Sequence, residues 1–535
     1  MIKRILLFVS FVFIMAVSAM GQEYQWCVPV KGYISPETDA EPEAFLWIPS
    51  DCKKVRAVVF SQQNMCEEPI FNNTKFRKTL ADLGFAIVWF APGLNQQWDV
   101  TTGCQKVFDT AFNDLAKVSG YTELQNVPVV PLGHSAMATF PWNFAAWNPK
   151  RTLAVISYHG DAPRTNLTGY NLSNLEWGRT RNIDGIPGLM VEGEFEWWEA
   201  RVNPALAFRM MYSQSCVSFL CDAGHGHFDV SDEAIDYLCL FLKKAAHYRL
   251  GAESDNGTTE LKKLNPVNGW LADRWRAMVR KRPSPDPYVS YKGDPHDAFW
   301  YFDKEMAEAT ERYYARSLGK KMQYIGYTQG GRATAFNSKL HAGTIIQPKF
   351  DRDGLTFHLG AVFTDSLRTH LTTRHAAGKI DIKLINGPAV KVNDSTFTVR
   401  FYRMGLNNRK RSTDIWFQAT NPGDGTYKSA VQQINVRFPY RQTEGKRQYI
   451  LFPGINDVKA GISSIRLNAT TDSGLPVYYY IKEGPGEIVD NKVIFTQIPP
   501  RSKFPVKVTV VAWQYGIAGK YQTAQSEERT FYIVK

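Results

Sequence analysis

The sequence predicts an α/β protein: a mostly parallel sheet with helices on both faces, followed by a β-rich, sandwich-like C-terminal region. Between residues 55 and 248, short apolar strands alternate with helix-like segments, and this alternation is typical of parallel sheets covered by helices. After about residue 260, short alternating runs are separated by Gly, Pro, Asn and Asp, which indicates strands joined by turns. The chain has 535 residues, so we expect several domains.

The predicted strands and helices of the first region follow one another regularly. The run VRAVVF (55–60) predicts a strand, residues 71–83 an amphipathic helix, and FAIVWF (85–90) the next strand. A helix near residues 107–117 precedes the strand VPVVPL, and further strands are predicted in LAVISYH, GLMVEGE and VSFLCDA. Ser231 can cap the long closing helix, because its hydroxyl can accept a hydrogen bond from an unpaired N–H of the first turn.

The first 21 residues have the features of a secretory signal peptide. Lys3 and Arg4 precede the apolar run ILLFVSFVFIMAV, and the small residues Ser18, Ala19 and Gly21 follow it. The apolar run is short for a membrane span. We therefore expect cleavage after Gly21 or Ala19 and a secreted or periplasmic protein that is not bound to a membrane after cleavage.

Composition and charge limit the classes of partner. The formal net charge is +12, but Lys and Arg are spread along the chain. We interpret the charge mainly as a solvated surface and do not expect a nucleic-acid partner. The seven cysteines all precede residue 240; export permits disulfides, and an odd number leaves at least one thiol unpaired or paired between chains. Their spacing does not indicate a metal site, and no cofactor is predicted.

The stretch VPVVPLGHSAMATF (127–140) contains the most informative motif of the chain. A predicted strand runs through Gly133 to Ser135 and then into a helical segment, which is the context of a nucleophile on a sharp strand-to-helix turn. Two residues depart from the motif G-x-S-x-G and its context. Met137 stands where a small residue is usual, and Pro141 is expected to interrupt the helix. A serine that merely follows a strand is the alternative interpretation.

This motif resembles the nucleophile elbow of the α/β-hydrolase superfamily, and the resemblance covers about residues 50–250. The superfamily places its acid and then its histidine after the nucleophile, in loops that follow later strands. The resemblance therefore implies Ser135 as nucleophile, Glu196 as acid and His227 as base. Glu194 is the alternative acid. His225 is the alternative base, or else a residue that lines the substrate pocket.

The resemblance also implies two hydrogen-bond donors for an oxyanion. We expect the backbone N–H of Ala136 and that of Gln63, although the loop after VRAVVF has the polar segment SQQN instead of a Gly-rich stretch. Trp197 and Trp198 adjoin the predicted acid and are candidate substrate-binding residues, because indole rings stack on sugars and aryl groups. Packing in the core is the alternative for these tryptophans.

Five segments are predicted: a signal peptide (1–21), an α/β-hydrolase domain (22–250), a linker and mixed helix/β region (251–380), a β-sandwich-like module (381–458) and an immunoglobulin-like β module (459–535). The last module is predicted from SGLPVYYYIKEGPGEIVDNKVIF, which resembles a bacterial immunoglobulin-like module. A β-rich extension of this kind resembles those of secreted hydrolases that degrade polysaccharides.

The function implied by these resemblances is that of a secreted serine esterase. It would remove acyl groups from a polysaccharide or a related ester through a Ser-His-Glu triad and an acyl-enzyme, without a metal or other cofactor. A serine peptidase of the same fold is one alternative. A non-catalytic surface protein whose β modules bind glycan is the other. The sequence leaves the oligomeric state open.

Overall fold

The computed structural model describes residues 23–535, except residues 167, 169, 197, 254–258, 278, 280 and 405. The predicted signal peptide (1–21) therefore lies outside the described residues. In the part of the chain that is described, no helix has the length and apolar character needed to cross a bilayer.

An eight-stranded sheet forms the centre of the N-terminal region. Its strands are β1 (Trp26–Pro29), β2 (Glu43–Trp47), β3 (Ala57–Gln62), β4 (Phe85–Ala91), β5 (Val129–His134), β6 (Val155–Tyr158), β7 (Pro187–Gly193) and β8 (Cys216–Asp222). Their order in space is β1-β2-β4-β3-β5-β6-β7-β8. The pairs β1–β2 and β2–β4 are antiparallel, and all the other pairs are parallel. The predicted α/β-hydrolase fold with a mostly parallel sheet is confirmed.

Helices cover both faces of this sheet, as predicted. They are α1 (Glu67–Asn72), α2 (Thr74–Leu83), α3 (Cys104–Ser119), α4 (Phe140–Trp147), α5 (Trp198–Met211) and α6 (Asp232–Arg249). The adjacent residues Val58 and Val59 of β3 belong to two different hydrophobic clusters, because successive side chains of a strand point to opposite faces. Burial on both faces explains why the central strands are almost continuous apolar runs in the sequence.

Local sequence features determine where several of these helices begin. The Ser231 hydroxyl accepts a hydrogen bond of 3.0 Å from the N–H of Ala234, so the predicted cap of α6 is confirmed. Pro141 lies in the first turn of α4. Backbone N–H groups of the first turn have no acceptor within the helix, so a proline at this position costs no helical hydrogen bond. The helical segment after Ser135 is interrupted between the 3-10 helix Ser135–Met137 and α4, shortly before Pro141, as expected.

Residues 259–318 pack against the β8 edge of the central sheet. They contain a three-stranded sheet and helix α7 (Lys304–Ala315), and the strands are Trp270–Asp273, Asp286–Pro287 and Ala298–Tyr301. A short hairpin, Leu250–Glu253 with Thr259–Leu261, precedes them. The Ser218 hydroxyl donates to the Trp300 carbonyl over 2.6 Å, and the Tyr301 hydroxyl donates to the Phe219 carbonyl over 2.8 Å. This segment shares the hydrophobic core of the α/β domain.

The following β region contains sheets that cross the predicted boundary at residue 380. Its strands are Tyr324–Gln329, Arg332–Ala333, Ile345–Ile346, Thr356–His358, Gly360–Thr364, Asp381–Asn386, Ala389–Lys391, Thr396–Val399, Asp414–Asn421 and Ala430–Arg437. Phe357 pairs with Phe397, and Ile345 pairs with Asn435. The boundary at residue 380 therefore falls inside one set of paired strands, and we refer to residues 321–438 as the first β region.

The last part of the chain has a hydrophobic core of its own. Its strands are Ile450–Leu451, Val458–Lys459, Ser464–Arg466, Thr470–Thr471, Tyr478–Glu483, Gly486–Val489, Lys492–Phe495, Val506–Trp513 and Glu527–Val534. The β-rich character predicted for the C-terminal region is confirmed, whereas its immunoglobulin-like character stays a prediction. All seven cysteines are free thiols, and six of them are buried.

Candidate active site

Ser135 occupies a strained turn at the carboxyl end of β5. It begins a short 3-10 helix (Ser135–Met137) and has a φ of 56°, a left-handed conformation that is unfavourable for residues with a side chain. Gly133 allows the turn to close, because a Cβ at this position would lie 1.8 Å from the carbonyl oxygen of Met137. The side chain of Met137 packs towards Gly93. The turn therefore forms although Met137 departs from the motif.

The three residues predicted as nucleophile, base and acid lie together in one chain of hydrogen bonds. Oγ of Ser135 is 2.6 Å from Nε2 of His227. Nδ1 of His227 is 2.5 Å from Oε2 of Glu196. Because the three residues follow β5, β7 and β8, they lie at the same edge of the parallel sheet. The His227 side chain is 24% exposed, whereas that of Glu196 is 4% exposed, so the acid is shielded behind the imidazole.

The alternative acid and base make other contacts. Glu194 accepts a hydrogen bond of 2.8 Å from Nζ of Lys428. His225 is buried: its Nδ1 contacts the Asp229 carboxylate, and its Nε2 lies 2.7 Å from Oγ of Ser429. Nδ1 of His225 is thus used within the α/β domain, and Nε2 is used at the contact with the first β region. These contacts place His225 away from the hydrogen-bond chain of Ser135, and its predicted role in lining the substrate pocket stays a prediction.

A second histidine contacts the acid and was not predicted. His159 directly follows β6, has a φ of 52° and is fully buried. Its Nδ1 contacts Oε1 of Glu196, which also accepts a hydrogen bond of 2.8 Å from the N–H of Gly193. The one sequence signal for His159 was its position at the end of the predicted strand LAVISYH, next to the strand that carries Ser135.

Charge and burial set the protonation states of this group. Burial alone raises the pKa of the Glu196 carboxyl, but the facing His159 and His227 outweigh it and hold that pKa well below its usual range. Burial lowers the pKa of the His227 imidazole, and the Glu196 carboxylate opposes this only in part. At neutral pH, Glu196 is therefore charged and His227 is neutral. These are the states needed for an orienting acid and a general base.

The loop after β3 does not offer the backbone donor that was predicted. The N–H of Gln63 donates to the carbonyl of Phe90 over 2.8 Å, because the pairing of β3 with β4 continues one residue beyond β3. The predicted role of the Gln63 amide is therefore wrong. Ala136 lies in the first turn of the 3-10 helix, where N–H groups lack partners within the helix. It stays the predicted first oxyanion donor.

The two predicted aromatic substrate-binding residues directly follow Glu196 in the sequence. Trp197 lies outside the described residues, and Trp198 is the first residue of α5. Their role in substrate binding stays a prediction. Two other tryptophans of this region are core residues. Nε1 of Trp142 donates to the Asp161 carbonyl over 2.8 Å, and Trp177 is fully buried.

The first β region contacts the loops that carry the site. Nη1 of Arg411 donates to the carbonyl of Asn64 over 2.6 Å, in the loop after β3. Nε2 of Gln433 donates to the carbonyl of Phe228 over 2.9 Å, next to His227. With the ion pair between Lys428 and Glu194, the first β region holds the loops after β3, β7 and β8.

Two groups of described side chains combine histidine and carboxylate at distances that could suit a metal ion. His159, Glu196 and His227 form one group, and Asp222, His225 and Asp229 form the other. The first group is already joined to Ser135 by hydrogen bonds. In the second, burial lowers the pKa of His225, but Asp222 and Asp229 outweigh it and raise that pKa to about 10. The imidazolium of His225 therefore forms ion pairs with the carboxylates of Asp222 and Asp229.

Comparisons with known proteins give likenesses to solved structures. The structure of the esterase PE8 has 14% identity and a TM-score of 0.27, and the match covers 37% of this chain and 97% of that chain. A truncated carbohydrate esterase from gut microbiota has 11% identity and a TM-score of 0.29, over 42% and 98% of the two chains. The S-formylglutathione hydrolase FrmB from Staphylococcus aureus has 11% identity and a TM-score of 0.28, over 42% and 97%. No protein-family model and no curated protein matches the chain.

Proposed function

We propose that this protein is a secreted serine hydrolase that cleaves carboxylic esters. The observation that carries the proposal is the hydrogen-bond chain from Oγ of Ser135 to His227, 2.6 Å, and from His227 to Glu196, 2.5 Å. A serine that merely followed a strand would need neither a left-handed backbone nor a buried carboxylate aligned behind its histidine partner. Both features are costly and are typical of functional sites.

The geometry supports a two-step acyl transfer. As Oγ of Ser135 bonds to the ester carbonyl carbon, Nε2 of His227 takes the hydroxyl proton, and the C=O π electrons move to the carbonyl oxygen. When the C=O bond re-forms, the bond to the alcohol oxygen breaks, and the His227 imidazolium returns its proton to that oxygen. Water then attacks the acyl-enzyme with His227 again as base, which releases the carboxylic acid and restores Ser135.

The role of Glu196 in this proposal is to orient and stabilise the imidazolium. The carboxylate accepts from Nδ1 of His227 and so leaves Nε2 free to face Ser135. His159 and the N–H of Gly193 fix the second carboxylate oxygen. Glu196 is therefore held from both oxygens, which limits its motion during the two proton transfers.

As substrate class we propose acyl esters of a polysaccharide or a related ester. The predicted signal peptide supports export to a compartment where such glycans occur. Trp197 and Trp198, next to Glu196 in the sequence, supply rings that can stack on a sugar or an aryl acyl group. The intact hydrogen-bond chain disfavours a non-catalytic protein.

Covalent labelling tests the proposed function directly. We expect a fluorescent fluorophosphonate to label the wild-type protein and a short-chain aryl ester to be hydrolysed, with both reactions lost in Ser135→Ala. Ser429→Ala is the matched control, because Ser429 also contacts a histidine, His225, at 2.7 Å. Labelling that persists in Ser135→Ala, or a folded wild type that does not react, would contradict the proposal. Release of acyl groups from acylated polysaccharides then tests the substrate class.

A further inference from the structure

We propose that the side-chain carboxamide of Asn64 is the second hydrogen-bond donor of the oxyanion hole. This inference rests on the proposed hydrolase function and adds a catalytic residue to it. In the transition state, the carbonyl oxygen of the ester gains negative charge, and two aimed donors are the usual means of stabilising it. Ala136 supplies one of them, and the loop after β3 has to supply the other.

The backbone N–H groups of this loop are already used. Gln63 donates to the carbonyl of Phe90 over 2.8 Å. The N–H groups of Asn64 and Met65 both donate to one carboxylate oxygen of Glu67, over 3.2 and 2.7 Å. Because breaking any of these bonds leaves a buried polar group without its partner, none of the three is a ready oxyanion donor.

The Asn64 side chain contacts the residue that directly precedes Ser135. Its Nδ2 donates to the carbonyl oxygen of His134 over 2.9 Å, and that oxygen belongs to the peptide bond that joins His134 to Ser135. The carboxamide therefore lies beside the backbone of the nucleophile, on the side of β3. Gln63 and Met65 are buried, whereas Asn64 between them is partly exposed, so Asn64 is the residue of this loop that substrate can reach.

One of the two N–H bonds of Nδ2 is available for the oxyanion. The first is used by the His134 carbonyl. Among the described residues, the second lies near Nδ1 of His134, at 3.5 Å, which is the outer limit of a hydrogen bond. Redirecting this N–H to a charged oxygen exchanges a weak contact for a charge-assisted hydrogen bond, which is the stronger kind.

The backbone of Asn64 is fixed on both sides, so the carboxamide is preorganised. Arg411 donates to its carbonyl over 2.6 Å, and Glu67 accepts from its N–H over 3.2 Å. A donor held in place before the reaction does not lose stabilisation through reorganisation when charge develops. This is the arrangement expected of an oxyanion donor and not of a mobile surface asparagine.

Steady-state kinetics of Asn64→Ala and Asn64→Asp test the assignment. The first variant removes the carboxamide, and the second keeps its shape but places an oxygen where the donor was. We expect kcat for a short-chain aryl ester to fall about 10²–10³-fold, with KM changed by no more than about threefold, which is the effect of removing one oxyanion donor. Affinity for a trifluoromethyl ketone, which forms a tetrahedral adduct with the serine, should fall in parallel.

The outcomes separate this inference from the proposed function. A wild type that reacts with fluorophosphonate, together with variants that keep kcat within about threefold, would overturn the role of Asn64 alone. A folded wild type that neither labels nor hydrolyses the ester would overturn both. Melting temperature is measured for each variant. A fall in kcat without a parallel loss of ketone affinity would indicate a structural role and overturn the assignment.

Discussion

The guanidinium of Arg411 donates a hydrogen bond of 2.6 Å to the carbonyl of Asn64, so the first β region directly contacts the loop beside the nucleophile. On the other side of the site, Gln433 donates to the carbonyl of Phe228 over 2.9 Å. The rings of Trp416 and Phe228 pack together with their centroids 4.8 Å apart. The C-terminal half of the chain therefore supports both the loop after β3 and the loop after β8. The first β region thus supports the candidate site through its loops.

Replacing Arg411 by Ala should lower activity without changing the nucleophile. The variant loses the bond to Asn64 and the ion pair with Glu37, whose Oε1 lies 3.0 Å from Nε of Arg411. We expect kcat for an aryl ester to fall about tenfold, which corresponds to about 1.4 kcal/mol in the barrier, while fluorophosphonate still labels Ser135. The exposed neighbour Arg409 provides the control, and Arg409→Ala should keep wild-type kcat. Equal kcat values for the two variants would argue against support by the first β region.

The two glutamates of the loop after β7 should have separable roles. Glu196→Gln removes the charge that orients His227, and we expect kcat to fall by about 10²–10⁴-fold. Because both carboxylate oxygens accept buried hydrogen bonds, we also expect a loss of about 1–3 kcal/mol of unfolding free energy. Glu194→Gln removes the partner of Lys428, whose side chain is only 6% exposed. Since an uncompensated buried charge is costly, we expect a loss of about 3–5 kcal/mol of unfolding free energy and a smaller effect on kcat. Urea denaturation and kinetics of both variants check this, and a reversed pattern would assign the acid to Glu194.

We expect His159 to act as a positioning residue for Glu196, with an effect on the pH profile. His159→Leu removes the donor to Oε1 of Glu196, whereas His159→Asn retains an N–H at a similar position. We expect kcat to fall about tenfold in the Leu variant and less in the Asn variant. Because His159 contributes to lowering the pKa of His227, the acid limb of kcat/KM should move to higher pH in both. An unchanged limb in both variants would show that His159 only fills space.

The pH dependence of the wild type follows from the state of His227. The imidazole must be neutral to accept the Ser135 proton, and burial lowers its pKa from the ordinary value of 6.5. A lowered pKa keeps the base neutral to lower pH, so activity should persist below pH 6.5 and decline only with an apparent pKa under that value. The rate of fluorophosphonate labelling against pH measures this without substrate binding. A midpoint at pH 7 or above would contradict the prediction.

The sequence was informative wherever chain order determines position in space. Parallel strands end at one edge of the sheet, so Ser135, Glu196 and His227 could be predicted from the loops that follow three predicted strands, with Glu194 and His225 as alternatives in the same loops. The state of Gln63 could not be assigned in this way, because it depends on whether strand pairing extends one residue further, to the Phe90 carbonyl. Contacts such as that of Arg411 with Asn64 join residues 347 positions apart, and no local pattern in a single sequence encodes them.

Glu67 should stabilise both the fold and the site, because it joins β5 to the loop after β3. Its side chain is fully buried; one carboxylate oxygen accepts from the N–H of His134 over 2.8 Å, and the other accepts from the N–H groups of Asn64 and Met65. In Glu67→Gln, an NH2 group replaces one of these oxygens and faces an N–H donor whichever way the amide is turned. At least one buried backbone N–H then lacks an acceptor, at a cost of about 1–3 kcal/mol.

The same substitution should also reduce catalysis, because Glu67 holds the backbone on both sides of the site. His134 directly precedes Ser135, and Asn64 is the proposed oxyanion donor. We expect Glu67→Gln to lower the urea midpoint and to lower kcat at a temperature where the variant is still fully folded. Lys78→Ala is the control for the loss of a charged side chain. In the described part of the chain, Lys78 forms an ion pair of 3.1 Å with Asp82 on the exposed side of α2, and such surface pairs contribute about 0–1 kcal/mol. A Glu67→Gln variant as stable and as active as Lys78→Ala would show that the three N–H groups find other acceptors.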